Sequence, residues 1–222
     1  MGRIALCGVF DIPNYGDHLF PLVLREELSR RGYAGNVVLF SPFQAEESFV
    51  ENSNVHSLDD LERMHMEEPF SAIVVGGGEI IHWHRFGQKR TFNSTDFEAY
   101  PMDKVWLVPC FMKMKYNVPL LWNAPGIPFD FDADKALAHY LFSNIDYLSV
   151  RNDFSKQVLI DCGIPDAAIQ RVPDTECRHR PRTPRCAQPR VPRISALCGV
   201  PLQPLYPGIR NQQCRGHAQG IA

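Results

Sequence analysis

Short apolar runs and amphipathic stretches alternate along residues 1–175. Arg3–Phe10 (RIALCGVF) is apolar and ends at a polar turn, which predicts a buried strand. Asp11–Asp17 (DIPNYGD) is expected as a loop, because Pro13 fixes one φ and Gly16 permits a positive one. Leu19, Phe20, Val23, Leu24 and Leu28 then recur at helical spacing, with Arg25, Glu26, Glu27, Arg30 and Arg31 between them. That pattern predicts an amphipathic helix closed by Gly32. Val37–Phe40, Ala72–Val75, Pro119–Asn123, Tyr147–Val150 and Gln170–Val172 read as further strands. Leu58–Met66, Met102–Tyr116 and Asp134–Ser143 read as helices, the second expected to be disturbed by Pro109. Phe154, Val158, Leu159 and Cys162 mark a last helix, capped near Asn152 or Asp153 and ended by Gly163.

Strand and helix in repeated alternation imply a parallel sheet with helices on both faces. The strands are apolar throughout, as expected when both faces are covered. The fold class is therefore α/β, a Rossmann-like doubly wound parallel sheet formed by residues 1–175. In such sheets ligands bind beyond the carboxyl ends of the strands. The loops at 11–17, 76–85, 124–131 and 151–153 each follow a strand and are expected to gather along that edge.

Composition changes this picture after Thr175. The whole chain carries a formal charge of −2, which hides a body at −9 and a 47-residue tail at +7. Residues 176–222 hold eight arginines, seven prolines, four of the seven cysteines and no lysine. Arg, Pro and Cys without a helical or strand period give no packed core, so the tail is expected to be unstructured or the product of a shifted reading frame. Its lack of lysine argues against a nucleic-acid arm, and no nucleic-acid partner is expected. No apolar run reaches the roughly 18–20 residues of a membrane helix, and Met1–Phe10 does not read as a secretory signal. Cys7, Cys110 and Cys162 lie in apolar segments and read as buried thiols, while the tail cysteines show no CxxC pair. A reduced, cytoplasmic protein is the expectation.

Four segments carry candidate chemistry. Asn14-Tyr15-Gly16-Asp17 opens the first helix, where free N–H groups suit an anionic oxygen. Asp17 is expected to cap that helix or to accept from sugar hydroxyls. Gly76-Gly77-Gly78 lets a ligand or another backbone approach closely, and Glu79 beside it disfavours a phosphate. The triplet is neither a dinucleotide fingerprint nor a Walker loop. His82-Trp83-His84 lacks a third ligand nearby, so no metal is expected; Trp83 reads as core or sugar-facing. Arg151 suits a carboxylate or phosphate, or else pairs with Asp153 or Asp174.

Taken in order, NYGD, VVGGGEII, WNAPGIPF, SVRNDFSKQVLIDCGIP and VPDT resemble the polysaccharide pyruvyl transferase family over about Ile4–Thr175. The chain departs from that pattern at Asn152, which separates Arg151 from Asp153, and at Pro13 and Asn14, where the family often has Gly. The resemblance implies half of a glycosyltransferase-B-like architecture. It implies transfer of a pyruvyl group from phosphoenolpyruvate to a saccharide acceptor in cell-surface polysaccharide synthesis, without an obligatory cofactor. It also places the main catalytic Arg and His residues in a C-terminal domain that should begin after Asp174. The tail shows no βα pattern to supply that domain, so a truncated enzyme of doubtful activity is expected, and no catalytic role is assigned. Asn14, Gly16, Asp17, Gly76, Gly77, Gly78, Glu79, Arg151 and Asp153 are the candidate substrate-binding residues. The rival readings are a nucleotide-sugar glycosyltransferase on the same fold and a non-catalytic glycan- or partner-binding module. Acceptor sugar, ketal geometry and oligomeric state are left open.

Overall fold

The computed structural model describes residues 2–45, 54–83, 86–89 and 97–173. The tail from 176 lies outside the described residues. The strands are β1 (Arg3–Cys7), β2 (Val37–Ser41), β3 (Val55–Ser57), β4 (Phe70–Gly76), β5 (Phe86–Lys89), β6 (Phe97–Tyr100), β7 (Leu120–Asn123), β8 (Tyr147–Val150) and β9 (Ile169–Arg171). The α-helices are α1 (Tyr15–Arg30), α2 (Leu61–Glu67), α3 (Lys104–Tyr116), α4 (Lys135–Phe142) and α5 (Asp153–Asp161).

Seven strands form one sheet in the order β3-β2-β1-β4-β7-β8-β9, and every pairing in it is parallel. The expected α/β, Rossmann-like sheet is therefore present. From β1 the order runs outward through β2 to β3 on one side and through β4 to β9 on the other. The reversal between β1 and β4 opens a crevice at the carboxyl edge, where such folds bind ligands.

The core forms as two layers because strand side chains alternate between faces. Ile4, Leu6, Leu39, Ala72 and Val74 point toward α1 and bury Phe20, Leu24 and Leu28 with it. Ala5, Cys7, Phe40, Ile73, Val75, Leu120 and Trp122 point to the other face, where α2, α3, α4 and α5 lie. Phe142 of α4 meets Trp106 of α3 at a tilt and Trp122 of β7 edge-on, with centroids 5.7 and 5.1 Å apart. The three cysteines Cys7, Cys110 and Cys162 are buried free thiols, as expected. Burial pushes the Cys110 thiol up to about 12.

Three features were not anticipated. The strand β3 is only three residues long, and the segment from Leu58 begins as a 3₁₀ turn before α2. The antiparallel hairpin β5–β6 is inserted in the crossover from β4 to α3. Helix α3 runs through Pro109 to Tyr116 and stops at Asn117, whose φ of 53° is left-handed. Pro109 is buried, so packing of the surrounding side chains outweighs the loss of one backbone bond.

Candidate functional site at the carboxyl edge

The loop after β1 leads directly into α1. Asn14 is the N-cap, and its Oδ1 accepts from the Gly16 N–H at 3.2 Å. Its carbonyl takes the His18 N–H at 3.1 Å. The expectation that Asp17 caps the helix is thus corrected. A cap must stand outside the first turn to reach back to its N–H groups, and Asn14 has the extended φ of −132° that this needs. Asp17 is three residues further on, and its Oδ2 accepts from Asn14 Nδ2 at 2.8 Å. The residue is only 8% exposed.

The glycine turn after β4 receives that carboxylate. A Cβ on Gly78 would lie 3.0 Å from Asp17 Oδ1, and one on Gly77 would lie 3.6 Å away. Gly77 also has a φ of +104°, which side chains rarely adopt. A Cβ on Gly76 would run into the Phe20 ring and the Asn123 carbonyl. The triplet therefore makes room for α1 itself: Phe20 below and Asp17 above.

The loop after β7 is laid against the same turn. Gly126 N–H donates to the Gly78 carbonyl at 2.9 Å, and Ile81 N–H donates to the Gly126 carbonyl at 3.2 Å. Arg151, at the end of β8, reaches across and pairs with Glu79 at 2.6 Å. Gly126 leaves the passage for that pair, since a Cβ there would lie 2.8 Å from Arg151 Nε and 2.9 Å from Glu79 Cγ. Of the expected partners of Arg151, Asp153 is answered by Arg171 instead, and Asp174 lies outside the described residues. Asp153 is turned outward, with its side chain 83% exposed, and pairs with Arg171 at 3.1 Å. Its neighbour Asn152 is the α5 cap, accepting from Ser155 N–H at 2.7 Å.

Of the nine candidates, Asn14, Gly16, Asp17, Gly76, Gly77 and Gly78 are thus brought together where the start of α1 meets the glycine turn, with Gly76 buried beneath. Glu79 and Arg151 pair beside that turn, and Asp153 stands apart on the first turn of α5. Trp83 packs against Trp106 and Phe131 at 4.7 and 5.8 Å, so it belongs to the aromatic core. His82 is 2% exposed against Phe129, and His84 lies outside the described residues. Among the described residues no three of His, Cys, Asp or Glu gather as metal ligands. No helix among them is long and apolar enough to cross a membrane.

Two residues at this edge escaped the sequence reading. Asp11 accepts from the Tyr100 hydroxyl at 2.6 Å and from Phe43 N–H at 3.3 Å. Burial raises its pKa, while the Tyr100 bond, the backbone bonds and Ser41 pull it down. A carboxylate following an apolar strand was a usable signal for Asp11. Tyr100 gave none, because it arrives on the hairpin.

A parallel sheet with its switch point between β1 and β4, and polar loops gathered above it, defines a Rossmann-like α/β protein, a class whose ligands bind at the carboxyl edge. The family model described as polysaccharide pyruvyl transferase matches residues 14–187, and the chain belongs to that family. The match begins at the cap residue Asn14 and continues past Thr175 into the Arg- and Pro-rich segment. A search of curated proteins returns no match.

Proposed function

We propose that residues 1–175 form the acceptor-side domain of an enzyme that transfers a pyruvyl group from phosphoenolpyruvate to a saccharide. The carrying observation is the family match over residues 14–187. The geometry supports the assignment of sides. Asn14 and Asp17 present an amide and a carboxylate beside a glycine turn, groups that suit neutral hydroxyls. Arg151 and Arg171 at this edge are engaged by Glu79 and Asp153. A phosphate brought here would meet Asp17 and Glu79 as like charges. The donor's phosphate and carboxylate are therefore assigned to cationic groups outside the described residues.

The chemistry balances as follows for a ketal. A proton adds to the methylene of the enol, and one sugar oxygen bonds to C2. A second sugar oxygen then bonds to C2 as the C2–O bond to phosphate breaks. The two hydroxyl protons end on the new methyl group and on the departing phosphate. Asp17 is the group assigned to hold the acceptor hydroxyl and to take its proton. Cytoplasmic location and a role in cell-surface polysaccharide assembly belong to the same proposal.

The test uses the full chain with methyl hexopyranosides, phosphoenolpyruvate and a nucleotide sugar, each as a ligand in thermal unfolding. Protection by a pyranoside that is lost in Asp17→Asn is the expected result. Protection by the nucleotide sugar alone would replace this reading with a glycosyltransferase. Mass spectrometry of the sugar after incubation with phosphoenolpyruvate shows whether this chain completes the transfer.

A further inference from the structure

Tyr100 ends the hairpin inserted between β4 and α3 and is 3% exposed. Its ring meets Phe43 edge-on with centroids 5.8 Å apart. Its hydroxyl donates to Asp11 Oδ1 at 2.6 Å, while Phe43 N–H donates to the other oxygen of Asp11 at 3.3 Å. Burial first, then the charge and hydrogen bond of Asp11, then the charge of Asp17 push the phenol far above its ordinary value. Tyr100 is thus a neutral donor that senses both carboxylates of the crevice.

The loop between β1 and α1 is held at successive points. Phe10 N–H donates to Ser41 Oγ at 2.7 Å, and that hydroxyl donates to the Gly8 carbonyl at 3.0 Å. Asp11 is held by Tyr100 and Phe43, and Asn14 by Asp17. Ser41 and Phe43 come from the neighbouring strand β2 and its loop. Tyr100 comes from an insertion that adds no strand to the main sheet. A phenylalanine at 100 would fill the same space, so the hydroxyl is what ties the insertion to the loop.

We propose that Tyr100 is a positioning residue of the acceptor site. It holds the Asp11 carboxylate, and through Asp11 it fixes the loop that sets Asn14 and Asp17 over the glycine turn. The role rests on the reading that Asn14 and Asp17 meet the acceptor hydroxyls. Titration of Asp11 is the handle on it, with Tyr100, Asp17, Ser41 and the Phe43 N–H as the groups that bear on it. Without the Tyr100 hydroxyl, Asp11 loses a bond that pulls its pKa down, so its titration moves to higher pH.

The experiment compares the full-length chain with Tyr100→Phe, Asp11→Asn and Asp17→Asn. It measures binding of methyl hexopyranosides against pH and the backbone amide resonances of residues 14–17, 77 and 78. Tyr100→Phe is expected to bind about tenfold more weakly, as befits a lost bond to a charged group. Its binding midpoint should move to higher pH, and the amides of residues 14–17 should shift while the sheet resonances stay. Unchanged affinity and unchanged pH midpoint in Tyr100→Phe overturn the proposal. Asp11→Asn keeps one acceptor, for the Tyr100 hydroxyl, and loses the one that Phe43 N–H uses; the Asp11 step in its pH profile should disappear. A step retained there also overturns it. If Asp17→Asn binds like the parent, or no pyranoside binds, the acceptor reading has failed. Tyr100 is then judged on the amides alone: a shift at residues 14–17 in Tyr100→Phe upholds its hold on the loop, and none refutes it.

Discussion

The two ends of the carboxyl edge hold their charges in opposite ways. At the crevice between β1 and β4, Asp11 and Asp17 are held by neutral donors: a phenol, a carboxamide and a backbone N–H. At the far end, over β8 and β9, Arg171 answers Asp153 in an exposed pair. Arg151 bridges the two ends through Glu79. Asp11 and Asp17 accept from neutral donors, whereas Asp153 and Arg171 at the far end answer each other as opposite charges.

The comparison breaks most completely at Gly76. An added Cβ there would meet the Phe20 ring and the Asn123 carbonyl, 2.9 Å from the carbonyl oxygen, and nothing can move without shifting α1 or β7. Gly76→Ala should cost about 2–3 kcal/mol by overpacking, read as a lower urea midpoint. The far end depends instead on a buried serine. Ser155 Oγ accepts from Ile127 N–H at 2.8 Å and is fully buried. Ser155→Ala strands that N–H, with an expected loss of about 1–3 kcal/mol in the same measurement.

A pH dependence separates both ends from the opposite edge. His65 Nδ1 accepts from Phe70 N–H at 3.1 Å, so the ring is neutral with its proton on Nε2. Burial, and then the charge of Arg3, hold its pKa below the ordinary 6.5. The unfolded chain therefore takes up this proton first on acidification. The contribution is fully present above about pH 6.5 and is lost as pH falls below that toward the folded value. His65→Gln should flatten that part of the stability profile, while Asp17→Asn should leave it in place.

The smallest effects belong to the exposed pairs. Asp153→Asn should change stability by less than about 0.5 kcal/mol, because its partner Arg171 is itself 42% exposed at the side chain. Arg151→Gln should cost no more than about 1 kcal/mol, since Glu79 is half exposed. A pyranoside affinity that falls with Asp153→Asn as much as with Asp17→Asn would erase the proposed contrast between the ends.

The sequence by itself determined the layers. Apolar runs such as RIALC, AIVV and LLW can be buried on both faces only in a covered sheet, and the βα alternation leaves parallel pairing as the way to do it. It also marked the loops of the carboxyl edge, because polar and glycine-rich turns follow those runs directly. Tertiary structure decided what those loops touch. The glycine triplet reads as room for a ligand or another backbone, and the side chains of α1 are what stand against it, Phe20 at Gly76 and Asp17 at Gly78. Arg151 chose Glu79, 72 positions away in sequence, over its neighbour Asp153, which faces outward on α5. Asp11 found Tyr100 across 89 positions, through a hairpin whose four-residue strands, FGQK and FEAY, carry no apolar run in sequence. Periodicity is a local property that the chain carries along its length. Which side chains meet above the sheet is fixed only when the strands are ordered and their loops are packed against one another.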